Sequence, residues 1–218
     1  MAVSKAAPVG LRALVVSLTG CLAVGACTTT VHDLAVADVS VGNSADWFPP
    51  AVGSSKEKQT NRILLIVDLT THVDLTEALL RWEMLINANV VFCDHPGDRA
   101  LLGYPLYTTT PRAGEFPRPL NSLQPVVHSG AAKTWTYYLP LNIARPASPA
   151  SKPPEIGFDL VNNPEDICIS LQGASLPWTM KWRYVRSNTE RLSSSAIREA
   201  LNSARTTDRP SNNRWRGP

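Results

Sequence analysis

The sequence predicts a mainly-β fold, a β-sandwich carrying one or two short helices, one of them near the C-terminus. Apolar and polar residues alternate over several short runs, and stretches rich in proline, glycine and asparagine separate those runs. One continuous apolar run, Ile63-Leu64-Leu65-Ile66-Val67, is short enough to be a central strand buried on both faces. About seven short strands with turn-rich connections suit two packed sheets.

Taken in order, Ala35, Ala37, Val39 and Val41 alternate with Val36, Asp38 and Ser40, the pattern of a half-buried strand. Residues 42–60 read as a loop, and 63–67 as the central strand. Asp74 and Glu77 fit a capping box that would open a helix over 75–86, with Leu79, Trp82 and Ile86 on one face. A strand with Leu80, Trp82, Met84 and Ile86 on one side fits the same residues. Residues 88–93 read as a strand ending in the turn cluster Asp94-His95-Pro96-Gly97-Asp98. From 104 to 130 the chain reads as a long connection with one short strand near Leu106-Tyr107.

Trp135, Tyr137, Leu139 and Leu141 alternate; the proline-dense stretch 143–155 follows as a loop. Ile156, Phe158 and Leu160 alternate, as do Ile167, Ile169 and Leu171, which sends Cys168 to the opposite side. Met180, Trp182 and Tyr184 form a last alternating stretch with Lys181 and Arg183 outward. Ser193 to Ser195 can cap a helix whose apolar stripe is Ala196, Ile197, Ala200, Leu201 and Ala204. The remainder, 205–218, is polar and reads as a disordered tail.

The first residues have a different character. Lys5 and Arg12 precede an uncharged, mostly apolar run that ends in small residues, the order of an export signal; a retained anchor helix is the alternative, though the run is weakly apolar for one. Val24-Gly25-Ala26-Cys27 resembles the lipobox of bacterial lipoproteins, in which small or apolar residues precede the cysteine that is acylated and becomes N-terminal. Leu18-Thr19-Gly20-Cys21 resembles it too. Two features favour Cys27: fourteen residues separate Arg12 from it, against eight for Cys21, and the polar Thr28-Thr29-Thr30 follows. The resemblance implies palmitate-type acylation and a membrane anchor. Thr28 is not the Asp that often marks inner-membrane retention, so it implies an outer membrane facing the periplasm. The resulting organisation is a signal peptide at 1–26, a lipid-anchored linker at 27–33, a sandwich domain at 34–204 and the tail.

Charge adds an exclusion. Residues 1–27 hold two of the 21 basic residues and no acid, which leaves 19 basic against 18 acidic residues afterwards. Such a balance gives no reason to expect nucleic acid as partner. Removal of the signal leaves Cys93 and Cys168, an even pair in an exported chain, which suggests a disulfide; two buried thiols are the alternative.

Familiar catalytic signatures are missing from the sequence: no nucleophile elbow, no zinc-binding His-Glu-x-x-His and no phosphate loop. Asp68, His72, Asp74 and Glu77 cluster within ten residues, and Cys93 lies beside Asp94-His95; capping, a disulfide and solvated turns account for both groups. His32 and His128 have no partner in sequence. Trp178, in the loop Ser175-Leu176-Pro177-Trp178, is a candidate binding residue, since aromatic side chains anchor many interfaces. No cofactor, metal site or catalytic residue is expected. The expectation is a non-enzymatic envelope lipoprotein that binds an envelope protein, in an immunity or secretion-accessory role. An envelope enzyme with distributed catalytic residues is the alternative.

Overall fold

In a computed structural model, the residues described are 27–49, 62–82, 84–95, 100–122, 134–145, 157–175 and 183–207. They form a mainly-β fold with three helices. The strands are β1 (Cys27–Val31), β2 (Ala35–Asn43), β3 (Ile63–Thr71), β4 (Met84–Phe92), β5 (Ala100–Pro105), β6 (Trp135–Asn142), β7 (Ala144–Arg145), β8 (Phe158–Asp159), β9 (Ile167–Ser175), β10 (Arg183–Ser187) and β11 (Glu190–Leu192). The helices are α1 (Ser44–Trp47), α2 (Leu75–Trp82) and α3 (Ser194–Thr207).

Two sheets carry the core. The larger runs β1-β10-β9-β4-β5, with β11 also paired to β9; the smaller runs β2-β3-β6; β7 and β8 pair separately. Val31, Ile86, Val90, Ile169, Leu171 and Val185 of the larger sheet share one buried cluster with Leu65, Val67, Leu69, Tyr137 and Leu139 of the smaller. Full burial of each aliphatic side chain contributes about 1.5–3 kcal/mol, so this interior dominates the stability.

The central-strand expectation holds, and its reason is visible. Leu65, Val67 and Leu69 of β3 enter the main core, while Leu64 and Ile66 enter a second cluster with Trp47 and Tyr107 on the other face. That cover comes from α1 and from a sheet crossing. After β5 the chain reaches the edge of the smaller sheet, where Tyr107 and Tyr138 exchange backbone hydrogen bonds of 2.9 and 2.8 Å. Gly42 permits the close approach of Trp47: a Cβ there would lie 3.0 Å from the indole Nε1 and 3.1 Å from Ile66 Cγ1.

Other expectations shift. Residues 75–86 divide between the two readings: 75–82 form α2 and Met84 opens β4. Asp74 Oδ1 caps that helix, accepting from Thr76 N at 2.9 Å and Glu77 N at 3.3 Å. In β2 the phase is not that of Ala35 and Ala37. A bulge between Val36 and Asp38 changes the register, so Val36, Val39 and Val41 pack on the core and both alanines are exposed. In β10 it is Val185 that is buried, which turns Tyr184 outward and inverts the expected phase. Residues 27–33, expected as a linker, contain the edge strand β1, and α3 extends to Thr207, into the expected tail.

Two asparagines replace missing strand partners. Asn188 accepts from Leu34 N at 3.0 Å and donates to Leu34 O at 2.9 Å, tying the β1–β2 turn to the β10–β11 turn. Asn121 does the same for Ile86, accepting from its N–H at 3.0 Å and donating to its carbonyl at 2.8 Å.

Candidate functional site

Cys93 and Cys168 meet in the fold. Cys93, just past β4, and Cys168, on β9, form a disulfide with a Cα–Cα distance of 5.0 Å. Cys168 lies on the outer face, as its place between Ile167 and Ile169 predicts. Cys93 N also donates to Asp166 O at 3.0 Å. Asp166 gathers further donors: its carboxylate accepts from Ser194 N at the start of α3 (2.7 Å) and from Arg191 Nε (2.7 Å). Those bonds, the Ser194 backbone foremost, hold its pKa below the usual carboxylate range.

The acidic and histidine positions singled out in the sequence are dispersed. Asp74 caps α2 and also accepts at 3.4 Å from the Tyr137 hydroxyl, which itself accepts from Leu75 N at 2.8 Å. Burial pushes the Tyr137 phenol far above its ordinary range. Asp68 is on the outer face of the smaller sheet, opposite Asp38 on β2; burial, then repulsion from Asp38, raises its pKa. His72 pairs instead with Asp33, at 2.5 Å from Nδ1 to Oδ2. Asp33 also accepts from the His72 backbone N–H and from Thr71 Oγ1 at 3.0 Å. Burial pushes the Asp33 carboxyl up, but these three donors outweigh it and the net pKa is lowered. Asp94, His95 and His32 are exposed. Among the described residues, no three His, Cys, Asp or Glu side chains converge on a metal position. Trp178 and His128 lie outside the described residues.

Open troughs lie on the surface of the described residues, and two of them run along strands of the main sheets. The larger, about 650 Å³, lies along the outer face of the larger sheet. Register fixes its rows: Leu85, Ala174, Tyr184 and Thr28 stand side by side across four strands, and Asn87, Gln172, Arg186 and Thr30 form the row two residues on. Small Ser170 and Ala174 floor it, so the flanking Leu85, Tyr184 and Arg186 stand above them. The second trough, about 540 Å³, runs between β2 and α3 from Asp38 to Val41 and from Ala196 to Ala204.

Sequence reasoning named neither trough, although the alternation Ile167, Ile169, Leu171 implied a polar outer face on β9. It missed Asp33 and both clamping asparagines, because each acts across 34 to 154 residues of sequence. Among the described residues no helix is long and apolar enough to cross a membrane. Compared with known proteins, the chain matches no family model, no curated protein and no solved structure.

Proposed function

We propose that this chain is an exported lipoprotein, held in the cell envelope by acyl chains on Cys27 and working there by binding a protein partner. The observation that carries the anchor is the tetrapeptide Val24-Gly25-Ala26-Cys27, whose cysteine is the first residue of β1. Cleavage before Cys27 removes the signal without cutting into a strand, whereas cleavage before Cys21 would leave five apolar or small residues ahead of the domain. The Cys93–Cys168 disulfide supports an oxidising compartment. Attachment through more than one acyl chain is stable, since each buried CH₂ contributes about 0.8 kcal/mol.

Protein binding is the reading the open troughs support. They are open, walled by mixed polar and apolar side chains, and lie on a sheet face and in the seam between β2 and α3 rather than around a convergent set of titratable groups. Intact-mass measurement of the membrane form tests the anchor. An N-terminus at residue 27 with acyl mass is the expected result; a retained Met1 or an unmodified thiol would sink it. Photo-crosslinking from Gln172 in membranes tests the binding reading, which requires one stoichiometric protein adduct.

A further inference from the structure

The anchor and the fold share a residue, and this fixes an orientation. Cys27 is the first residue of β1, already paired with β10 opposite Arg183. With acyl chains on that residue, no linker separates the lipid from the sheet. The end of the larger sheet at which β1 starts must then lie at the headgroups. Register says which residues are there. The row containing Cys27 holds Arg183; β9 ends at Ser175, and β4 begins at Met84 opposite it. One residue further in, on the outer face, come Thr28, Tyr184, Ala174 and Leu85.

Three strand spacings separate β1 from β4, roughly 14 Å, and one residue of rise adds about 3 Å. That brings Leu85 within the breadth of a bilayer contact centred on the anchor. Leu85 is 47% exposed, one of four large apolar side chains so exposed among the described residues. Tyr184, in the same row on the far side of Ala174, is half-buried, with the apolar body and polar tip that suit a membrane interface. The opposite end of β4, at Phe92, is eight residues away, roughly 26 Å along the strand.

We infer that this end of the larger sheet rests on the lipid surface, with Leu85 and Tyr184 in contact with phospholipid. The inference rests on acylation of Cys27. The test uses the full-length, membrane-extracted protein reconstituted in phosphatidylethanolamine–phosphatidylglycerol vesicles. Benzoylphenylalanine replaces Leu85, Tyr184 or, at the far end, His95, and phospholipid adducts are measured by mass after irradiation. Adducts from positions 85 and 184 should exceed those from 95 by roughly tenfold, since an interfacial contact reaches only about 5–10 Å deep. Each preparation is also weighed intact under non-reducing conditions, which reports acylation of Cys27 and closure of the Cys93–Cys168 bond as a check on folding. Equal yields at both ends, or none at positions 85 and 184, with Cys27 acylated would overturn the orientation and leave the anchor standing. An unmodified Cys27 would overturn both.

Discussion

The two sheets treat their outer faces in opposite ways. The smaller sheet hides much of its outer face: Leu64 and Ile66 lie under Trp47 and beside Tyr107 and Tyr138, and Trp47 meets Tyr107 edge-on at 5.4 Å. The larger sheet leaves its outer face open, with Asn87, Ser170, Gln172 and Arg186 along the trough. Burial on both faces makes β3 an unbroken apolar run, while burial on one face makes β9 alternate. The apolar pattern of a strand therefore reports how many of its faces are covered, and the alternating sheet is the one whose outer side chains stay polar and accessible.

Truncation of the aromatic lid gives the largest test of this contrast. Trp47→Ala should cost about 3–5 kcal/mol in urea unfolding, the usual range for a buried aromatic. Gln172→Ala, in the open face, should stay within about 0.5 kcal/mol. Equal losses would mean that the trough is structural and not free for binding. Opening the disulfide should come next. A double Cys93→Ala, Cys168→Ala variant, or reductant, should lower stability by about 2–5 kcal/mol through the freedom returned to the unfolded chain. A midpoint unmoved by reductant would show that the bond does not form in solution.

What was legible in the sequence divides along the same line. Ile63–Val67, the alternation of β6 and β9, the outward Cys168 and the stripe of α3 all follow from local periodicity, and each is found. The phase of β2 was not legible, because a bulge at Ala37 changes which alternate residues face inward, and two alanines give periodicity too little contrast to reveal it. Tyr184 was misassigned for a related reason: Trp182 and Tyr184 make an alternating pair of large side chains, while the buried Val185 stands as a lone apolar residue between Tyr184 and Arg186. The site was less legible than the fold. A trough depends on which strands become neighbours, and pairings such as Cys27 with Arg183 or Leu34 with Asn188 span more than 150 residues. No local pattern encodes them.

Asn188 offers a mid-sized test of how the sheets are joined. Its amide satisfies both backbone groups of Leu34, which is 2% exposed. Asn188→Ala leaves those groups unpaired and should cost about 1–3 kcal/mol. Amide exchange at Leu34 should accelerate beyond that of the core strands. Uniform acceleration throughout would mean that the clamp acts only on global stability and not on the joint between the sheets.

The smallest expected effect has the opposite sign, and it lies where the lid of the smaller sheet stops. Asp38 and Asp68 face each other across β2 and β3, a like-charge pair on one face. Burial and Asp38 together raise the Asp68 pKa above its ordinary 3.8. A carboxyl with a raised folded-state pKa holds its proton more tightly when folded, so it penalises the fold at neutral pH, and the penalty fades as pH falls through that value. Asp38→Asn should therefore stabilise the protein by about 0.2–1 kcal/mol at neutral pH, the range for a directly opposed cross-strand pair. The gain should shrink in high salt and vanish once Asp68 is protonated. Asp33, whose folded pKa is lowered, runs the other way: its contribution is present above its ordinary 3.8 and is lost as pH falls through the lower folded value. Asp33→Asn should thus weaken the protein at neutral pH and flatten its acid limb. If both variants changed stability in the same direction at neutral pH, the two carboxylates would not be in the opposed settings assigned to them.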